Sequence, residues 1–382
     1  MAENILGTPE LTLRSKLWNI RWLFVFVLIA TAGIGFAMLY SAANGNIDPW
    51  ASRHATRFGF GLMVLIAVAV IDIRFWLRYA YVIYAIVLLL LGIVEIAGSL
   101  GMGAKRWISF GFISLQPSEL MKIAVVLALA RYFHGSRIDE ISRLRFLLVP
   151  LMTVAAPAAL VLRQPDLGTA LVLIMAGGGI FFMAGVQLWK FAAFGVAAVA
   201  SAPVAWQFLH GYQKKRVMTF LDPESDPLGT GYHIIQSKIA FGSGGLSGRG
   251  FMQGTQGHLN FLPEMQTDFI FTMLAEEFGI IGGLALLAMY AVLLVYGFAI
   301  SIRSRSHFGC MLAMGITITF FLYVFINMAM VMGLIPVVGV PLPLISYGGT
   351  AMMTLMFGFG LLMSVWVHRD VMIGRRGAIS ED

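Results

Sequence analysis

The sequence predicts an all-α polytopic membrane protein with about ten transmembrane helices. Three observations predict this class. First, 59% of the 382 residues are hydrophobic and only 12% are charged, whereas a soluble domain carries roughly a quarter charged residues. Second, apolar segments of about 20 residues, the length that crosses a bilayer core, recur along the chain. Third, these segments are long and unbroken, which favours helices over the alternating segments of about 10 residues that build a membrane barrel.

We predict a single transmembrane domain over residues 1–382, with one long connection at 210–266. The eighth span is overlong, so we expect it to begin in a loop or to run tilted. The long connection contains Tyr212, Phe220 and Ile234, which makes it too apolar for plain disorder and predicts short helices at the outer membrane surface. The predicted spans cover residues 22–42, 57–73, 77–97, 117–134, 146–163, 168–187, 190–209, 267–300, 308–333 and 348–367.

The basic residues predict the orientation of these spans. In such an apolar chain, a net charge of +7 indicates residues that fix membrane topology rather than a nucleic-acid partner. Lys and Arg concentrate at one set of helix ends. They are Arg14, Lys16, Arg21, Arg74, Arg78, Arg131, Arg137, Arg143, Arg145, Lys190, Arg303, Arg305, Arg369, Arg375 and Arg376. We therefore expect both termini to face the cytoplasm and the 210–266 connection to lie outside.

Ionisable residues in or beside spans are costly in a membrane, so each suggests a function. Glu119 and Lys122 are spaced i, i+3 and share one helix face, where they form either part of a site or a neutralised pair. Arg106 and Trp107 lie at the predicted outer interface, where a snorkelling Arg beside an aromatic belt residue is the structural alternative. Asp166, at the mouth of the sixth span, also suits a helix N-cap.

The segment 261–269 is the strongest candidate for chemistry. Thr267 or Asp268 suits the cap of the following helix. Alternatively, Asp268 is a carboxylate held at the membrane boundary, where it can take a proton. Glu276 and Glu277 follow about two turns later and require partners that the sequence does not name.

The glycine-rich segment 242–250 suits either a flexible loop or a set of backbone N–H groups that bind phosphate. It matches neither a dinucleotide-binding fingerprint nor a nucleotide P-loop, because no strand–helix unit surrounds it and the Gly-Lys-Ser/Thr ending is missing. Lys238 precedes it and Arg249 lies near its end. Basic residues at membrane level suit the diphosphate head group of a lipid.

Together these segments resemble the SEDS family (shape, elongation, division, sporulation), within it the elongation branch, which residues 222–229 and 254–256 favour. Two departures, Met265-Gln266 for a common Arg-His pair and Asn260 for a common acidic residue, leave Asp268 unaffected. The matching segments cover most of the chain and lie at residues 103–107, 116–119 with Lys122, 164–169, 222–229, 231–238, 242–250, 261–264, 267–269 and 341–349.

The resemblance implies a peptidoglycan glycosyltransferase of the bacterial cytoplasmic (inner) membrane that polymerises lipid II, a disaccharide-pentapeptide on undecaprenyl diphosphate. It also implies partners: a class B penicillin-binding protein, which is a transpeptidase, and other elongation-complex proteins. No nucleotide cofactor and no nucleic acid are expected. Asp268 matches the family's proposed catalytic residue.

The chemistry defines what the site needs. The donor sugar is α-linked and the product bond is β-1,4, so one inverting displacement suffices. It requires a base, here Asp268, and positive charge on the departing diphosphate, supplied by basic residues alone or with a divalent cation such as Mg²⁺. The sequence does not identify ligands for such a cation. The expected substrate-binding residues are Arg106, Trp107, Glu119, Lys122, Asp166, Lys238, Arg249, Glu264 and Ser346.

Two other functions also fit a chain of this kind. One is a flippase that moves lipid II across the membrane, since buried charges among many spans suit a transporter. The other is a non-catalytic scaffold of the elongation machinery. Polymerisation of lipid II in detergent separates the three, because a flippase has no two compartments there and a scaffold makes no glycan by itself.

Overall fold

The computed structural model describes residues 12–101, 104–110, 113–208, 211–222, 230–258 and 264–374. The predicted motif residues 223–229 and 261–263, together with Gly103, Asn260, Arg375 and Arg376, lie outside the described residues. The helices are α1 (Leu13–Trp18), α2 (Trp22–Ala42), α3 (Trp50–Val70), α4 (Ile73–Ala97), α5 (Pro117–His134), α6 (Ile138–Ile141), α7 (Leu144–Arg163), α8 (Leu167–Met183), α9 (Leu188–Phe208), α10 (Gly211–Leu221), α11 (Thr230–Gly244), α12 (Thr255–His258), α13 (Ile270–Arg303), α14 (His307–Val331) and α15 (Gly349–Val367). The strands are β1 (Ser99–Gly101), β2 (Ala104–Phe110) and β3 (Ile113–Leu115).

Helices occupy all ten predicted spans, and α10, α11 and α12 provide short helices in the long connection. Among the described residues, 7 helices are long and apolar enough to cross a membrane, namely α2, α3, α4, α7, α13, α14 and α15. Two further helices, α8 and α9, contain shorter apolar stretches, at Leu167–Met183 and Leu188–Ser201. Helix α5 is not among these seven, because its 18 residues include three charged side chains, Glu119, Lys122 and Arg131. The protein is therefore an all-α polytopic integral membrane protein, as predicted.

Two helices begin a full turn or more before the predicted spans because the fold accommodates their polar first turns. Helix α3 begins at Trp50 rather than at 57; His54 is buried, and the guanidinium of Arg57 lies 4.7 Å from the ring centroid of Tyr347. Helix α4 begins at Ile73 rather than at 77. Its N-cap residue is Asp72, whose carboxylate accepts a hydrogen bond from the Arg74 N–H at 2.8 Å.

The connection before α5 forms a small antiparallel sheet that the sequence did not predict. Strand β2 pairs with both neighbours, with Ser99 opposite Trp107 and Ile108 opposite Leu115. Its β-branched and aromatic residues favour strand structure, but the strands are too short to show a clear alternating pattern. The sheet holds Arg106 and Trp107 beside the start of α5.

Helix α13 has 34 residues and is broken at Gly279, where φ is 66° and ψ is −160°. The glycine-rich segment packs against this break. A side-chain carbon added at Gly279 would lie only 2.4 Å from the Gly248 nitrogen. One added at Gly248 would lie only 2.1 Å from the Glu277 carbonyl oxygen. The Ile280 N–H donates to the Gly245 carbonyl at 3.0 Å. The eighth predicted span is overlong because it joins two helical segments, and it begins at Ile270 rather than at 267.

The connection between α14 and α15 folds back into the helix bundle. The hydroxyl of Tyr290, in the middle of α13, donates to the Pro343 carbonyl at 2.6 Å, and the Ile345 side chain is fully buried. We call residues 332–348 the re-entrant loop. It brings backbone from the predicted outer face into the bundle, where it contacts Gly35 of α2, Tyr290 of α13 and Asn327 of α14.

Candidate active site

The C-terminal half of helix α14 carries two polar side chains, Tyr323 and Asn327, within an otherwise apolar segment. They are spaced i, i+4 and therefore lie on one helix face. Tyr323 contacts α5, and Asn327 contacts the segment before α13 together with the re-entrant loop. This face of α14 connects the elements that carry most of the predicted site residues.

Glu119, Lys122 and Tyr323 form a buried polar triad. The Lys122 ammonium donates to Glu119 at 2.7 Å and to the Tyr323 hydroxyl oxygen at 2.5 Å. The Tyr323 hydroxyl donates to the other oxygen of Glu119, and the ammonium lies 4.3 Å from the tyrosine ring centroid. Lys122 is only 1% exposed and Glu119 4%. The predicted pair is therefore present, and a tyrosine more than 200 positions away completes it.

The backbone around Asp268 is fixed from two sides. The Asn327 side-chain amide donates to the Asp268 carbonyl at 3.0 Å and to the Val340 carbonyl at 2.7 Å. The Ser346 hydroxyl donates to the Thr267 carbonyl at 2.5 Å and accepts a hydrogen bond from the backbone of its own loop. Asn327 and Ser346 thus set the position from which the Asp268 side chain extends.

Asp268 does not cap the helix that follows it. The N-cap residue of α13 is Phe269, and no side chain makes a capping hydrogen bond there. The capping alternative for Thr267 and Asp268 is therefore wrong. The Asp268 carboxylate lies beside Gly339 of the re-entrant loop, where a built side-chain carbon would be 3.5 Å from Oδ2.

Asp166, in contrast, is a true helix cap. Its Oδ1 accepts from the Thr169 N–H at 3.1 Å, while Oδ2 accepts from the Gln116 side-chain amide at 3.4 Å. The next turn meets the re-entrant loop, since a side chain built at Gly168 would lie 2.5 Å from the Val338 carbonyl oxygen. Asp166 and Asp268 therefore stand on segments that both contact residues 338–340.

Arg106 supports the turn that leads to Asp166. Its guanidinium donates to the Gln164 carbonyl at 3.0 Å and to the Pro165 carbonyl at 2.5 Å. Arg106 and Trp107 are both partly buried. Two of the five donors of this arginine are thus engaged by the protein, and the guanidinium retains its charge beside the site.

Lys238 and Glu264 are exposed at the edge of the same region. Ser237 anchors α11 beneath Lys238, with its hydroxyl 2.9 Å from that of Thr272 and 2.7 Å from the Val331 carbonyl. Glu264 belongs to the turn before Asp268, and its carboxylate accepts from the Thr267 hydroxyl at 3.3 Å. Thr272 follows Asp268 by one helical turn, which places α11 against the start of α13.

Arg249 lies in a second polar cluster, within the glycine-rich segment. It donates to the Thr255 hydroxyl at 2.9 Å, which in turn donates to Glu276 at 3.2 Å. Glu276 also accepts from the Gln256 N–H at 3.0 Å, and Glu277 accepts from the Ser41 hydroxyl. These contacts supply partners for the two glutamates that the sequence left without any.

The backbone N–H groups of residues 248–250 do not form the predicted phosphate site. They donate to the carbonyls of Gly244 at 2.8 Å, Glu276 at 3.0 Å and Glu277 at 3.0 Å. This interpretation of the segment is therefore wrong for these three groups. The glycines instead allow the close approach to the broken part of α13.

Comparison with known proteins identifies the family. Residues 21–371 match the FtsW/RodA/SpoVE family of cell cycle proteins. The chain belongs to this family. Its SEDS resemblance is thereby confirmed. It is similar to the peptidoglycan glycosyltransferase MrdB of Escherichia coli strain K12, with 43% identity over 350 residues, 91% of this chain and 94% of that protein.

Two solved structures show the same FtsW/RodA/SpoVE fold. A chain from a peptidoglycan synthase complex, described for its structural coordination of polymerization and crosslinking, aligns with a TM-score of 0.79 and 33% identity, covering 92% of this chain and 98% of that one. The Thermus thermophilus rod shape determining protein RodA aligns with a TM-score of 0.69 and 27% identity, covering 92% and 97%.

Two polar residues of this family member escaped the sequence reasoning. Tyr323 and Asn327 connect the buried pair, the Asp268 segment and the re-entrant loop. A signal for them was available, because polar side chains within a predicted span suggest a function just as charged ones do.

Proposed function

We propose that this chain is a peptidoglycan glycosyltransferase that polymerises lipid II into glycan strands during cell elongation, with Asp268 as the general base. The name and 43% identity of MrdB, over almost the whole of both chains, support the reaction. One observation carries the site: Asp268 is positioned by its backbone yet does not cap the helix that follows.

The reaction is a displacement at the anomeric carbon of the donor sugar. The bond from that carbon to the diphosphate oxygen breaks as the bond to the acceptor 4-oxygen forms, which converts the α linkage into a β-1,4 linkage. The 4-hydroxyl proton passes to Asp268, and undecaprenyl diphosphate leaves with the bonding electrons. The base and the charges that stabilise the leaving group must stand on opposite sides of the sugar.

Asn327 and Ser346 are positioning residues in this proposal. Both bind the backbone at or next to Asp268 rather than its side chain. A base must be held within hydrogen-bond reach of the proton that it takes. The two contacts come from different elements, α14 and the re-entrant loop, so they limit movement of the Asp268 segment relative to the bundle.

Lys238 and Arg106 are the basic residues that we assign to the diphosphate. Lys238 is exposed, and Arg106 holds the turn before Asp166 while keeping its charge. Lys122 is too deeply buried to reach a ligand as it stands, and Glu119 already balances it. We therefore assign Glu119, Lys122 and Tyr323 to holding α5 against α14 beside the site.

A divalent cation such as Mg²⁺ also fits this proposal. Within the described part of the chain, no three His, Cys, Asp or Glu side chains converge. Mg²⁺ commonly uses one or two carboxylates, with substrate phosphate oxygens and water completing its shell. Asp166 and Asp268, on segments that both contact residues 338–340, are the carboxylates that we assign to that role, and the bound ion would neutralise charge on the diphosphate.

The partner that we propose is a class B penicillin-binding protein with a single span, alongside other elongation-complex proteins. The synthase complex that contains the similar chain supports a partnership. An apolar groove of about 380 Å³ between α13 and α14, lined by Leu294, Phe298, Ile318 and Phe321, is the surface that we assign to the partner's helix. Large exposed side chains on both helices provide area for such packing.

Polymerisation of labelled lipid II by the purified protein in detergent tests this function. We expect glycan strands, with and without the transpeptidase as separate arms. Detergent removes the two compartments that a flippase needs, and purification removes other polymerases. Absence of glycan in both arms, with the protein folded, contradicts the proposal and favours transport or a scaffold role.

A further inference from the structure

Three arginines surround the ring of Trp366 near the end of α15. The guanidinium carbons of Arg21, Arg369 and Arg303 lie 4.0, 4.3 and 6.0 Å from the ring centroid. Trp366 is only 6% exposed, so its ring is a fixed platform. Cation–π attraction holds guanidinium groups over such a ring. The cluster lies at the helix ends where most of the basic residues collect.

Among the described residues, a carboxylate balances only Arg369 of these three arginines. Arg369 lies 3.7 Å from Asp370 and donates to the Trp366 carbonyl at 3.3 Å. In the part of the chain that the structure describes, neither Arg21 nor Arg303 forms an ion pair or a side-chain hydrogen bond. Two positive charges therefore line the same groove with no carboxylate of the described residues paired to either of them.

An apolar groove begins at these two charges. Its volume is about 450 Å³, and its walls include Arg21, Val292, Val295, Ala299 and Arg303. It follows α13 from Ala291 to Arg303, 12 positions apart, which corresponds to about 18 Å at 1.5 Å per residue. That length is close to one leaflet, roughly half of a hydrocarbon core of about 30 Å. The groove thus joins a charged end at the membrane surface to an apolar length within one leaflet.

We propose that this groove binds an anionic phospholipid, with its phosphate on Arg21 and Arg303 and one acyl chain along α13. Guanidinium groups match phosphate oxygens in geometry and charge, and basic pockets between transmembrane helices suit anionic head groups. The apolar walls exclude a purely soluble anion as the full occupant. The site lies at the opposite end of α13 from Asp268, so it is independent of the proposed catalysis.

A lipid titration tests the proposal on the purified full-length protein. The midpoint of thermal unfolding is measured against dioleoylphosphatidylglycerol, with dioleoylphosphatidylcholine and inorganic phosphate as separate arms. Arg21→Gln with Arg303→Gln removes both head-group contacts. The matched control is Arg143→Gln with Arg145→Gln, which removes the same charge from exposed residues at the start of α7. Phosphatidylglycerol should raise the midpoint of the parent protein more than either other arm.

The groove variant should bind phosphatidylglycerol about 30-fold more weakly, which corresponds to about 1 kcal/mol per lost charge. The dissociation constant is obtained from the rise in the unfolding midpoint, because a bound lipid stabilises the folded state. In the control pair this constant should change by no more than about twofold, because Arg143 and Arg145 do not line the groove. Equal weakening in both pairs, or equal stabilisation by phosphatidylcholine, overturns the site. A full shift from inorganic phosphate alone also overturns it, because the acyl chain would then contribute nothing.

A second variant covers the case in which loss of both arginines prevents folding. Ala299→Trp fills the groove and leaves both guanidinium groups in place. We expect it to weaken phosphatidylglycerol binding at least tenfold while the response to inorganic phosphate stays unchanged. Unchanged lipid binding in this variant contradicts the placement of the acyl chain.

Discussion

Asp166 and Asp268 occupy similar positions in the sequence, each just before an apolar run, yet the fold uses them differently. Asp166 accepts the N–H of Thr169 and caps α8. Helix α13 instead begins after Phe269, without any side-chain cap. Sequence leaves both roles open for each residue, because the exact first residue of a helix depends on tertiary contacts. For Asp268 those contacts are Asn327 and Ser346, which fix the preceding backbone.

We expect the buried triad to contribute to the stability of the fold. Lys122→Met should lower the free energy of unfolding by about 3–5 kcal/mol, because it leaves the Glu119 carboxylate buried without its cation. The control is Arg163→Met, which breaks an exposed pair with Glu95 at 3.6 Å and should cost less than about 1 kcal/mol. Denaturant unfolding in detergent measures both. Similar losses for the two variants would contradict the account of the triad.

At the scale of elements, hydropathy located the helices because membrane spans need long apolar runs. It missed the β1–β3 sheet, whose strands are only three to seven residues long. It also missed the re-entrant loop, since the burial of Ile345 and the Tyr290–Pro343 hydrogen bond arise from packing against distant helices. Short strands and inserted loops leave no periodic pattern, whereas spans do.

We expect the break in α13 to require glycine at position 279. Gly279→Ala should lower the free energy of unfolding by about 1–3 kcal/mol, because its φ and ψ are nearly confined to glycine. An added carbon would also meet the Gly248 nitrogen at 2.4 Å. Gly92→Ala is the matched control, since its added carbon contacts nothing within 4 Å and alanine favours a helix. A Gly279→Ala protein as stable as the Gly92→Ala protein would show that the break is not required.

In the molecule as a whole, the sequence indicated which charged residues belong to the candidate site but not which side chains they contact. The Lys122–Tyr323 and Asp268–Asn327 contacts join residues 201 and 59 positions apart. Such distant pairs follow from the packing of α5, α13 and α14, which a single sequence does not specify. Arg249 shows the opposite outcome, because it binds Thr255, which lies only six positions further along the chain.

Orientation in the membrane is a prediction that concerns the molecule as a whole. With the native Cys310 replaced by serine, Ser247→Cys should react with a membrane-impermeant thiol reagent added outside intact cells. Ser142→Cys should react only after the membrane is opened. Both positions are exposed, so differences in burial do not explain a difference in labelling. The reverse pattern would place the candidate active site on the cytoplasmic side and contradict the predicted topology.

The rate of lipid II polymerisation by Asp268→Asn tests most directly the claim that Asp268 is the general base. Asn has nearly the same size and preserves the backbone contacts of Asn327 and Ser346, but it cannot take a proton as a carboxylate does. The variant should keep the parent's unfolding midpoint and its association with the transpeptidase, while polymerisation falls by at least about 10²-fold. Polymerisation near the parent rate would contradict the claim and leave Asp166 and Glu119 as the next carboxylates to test.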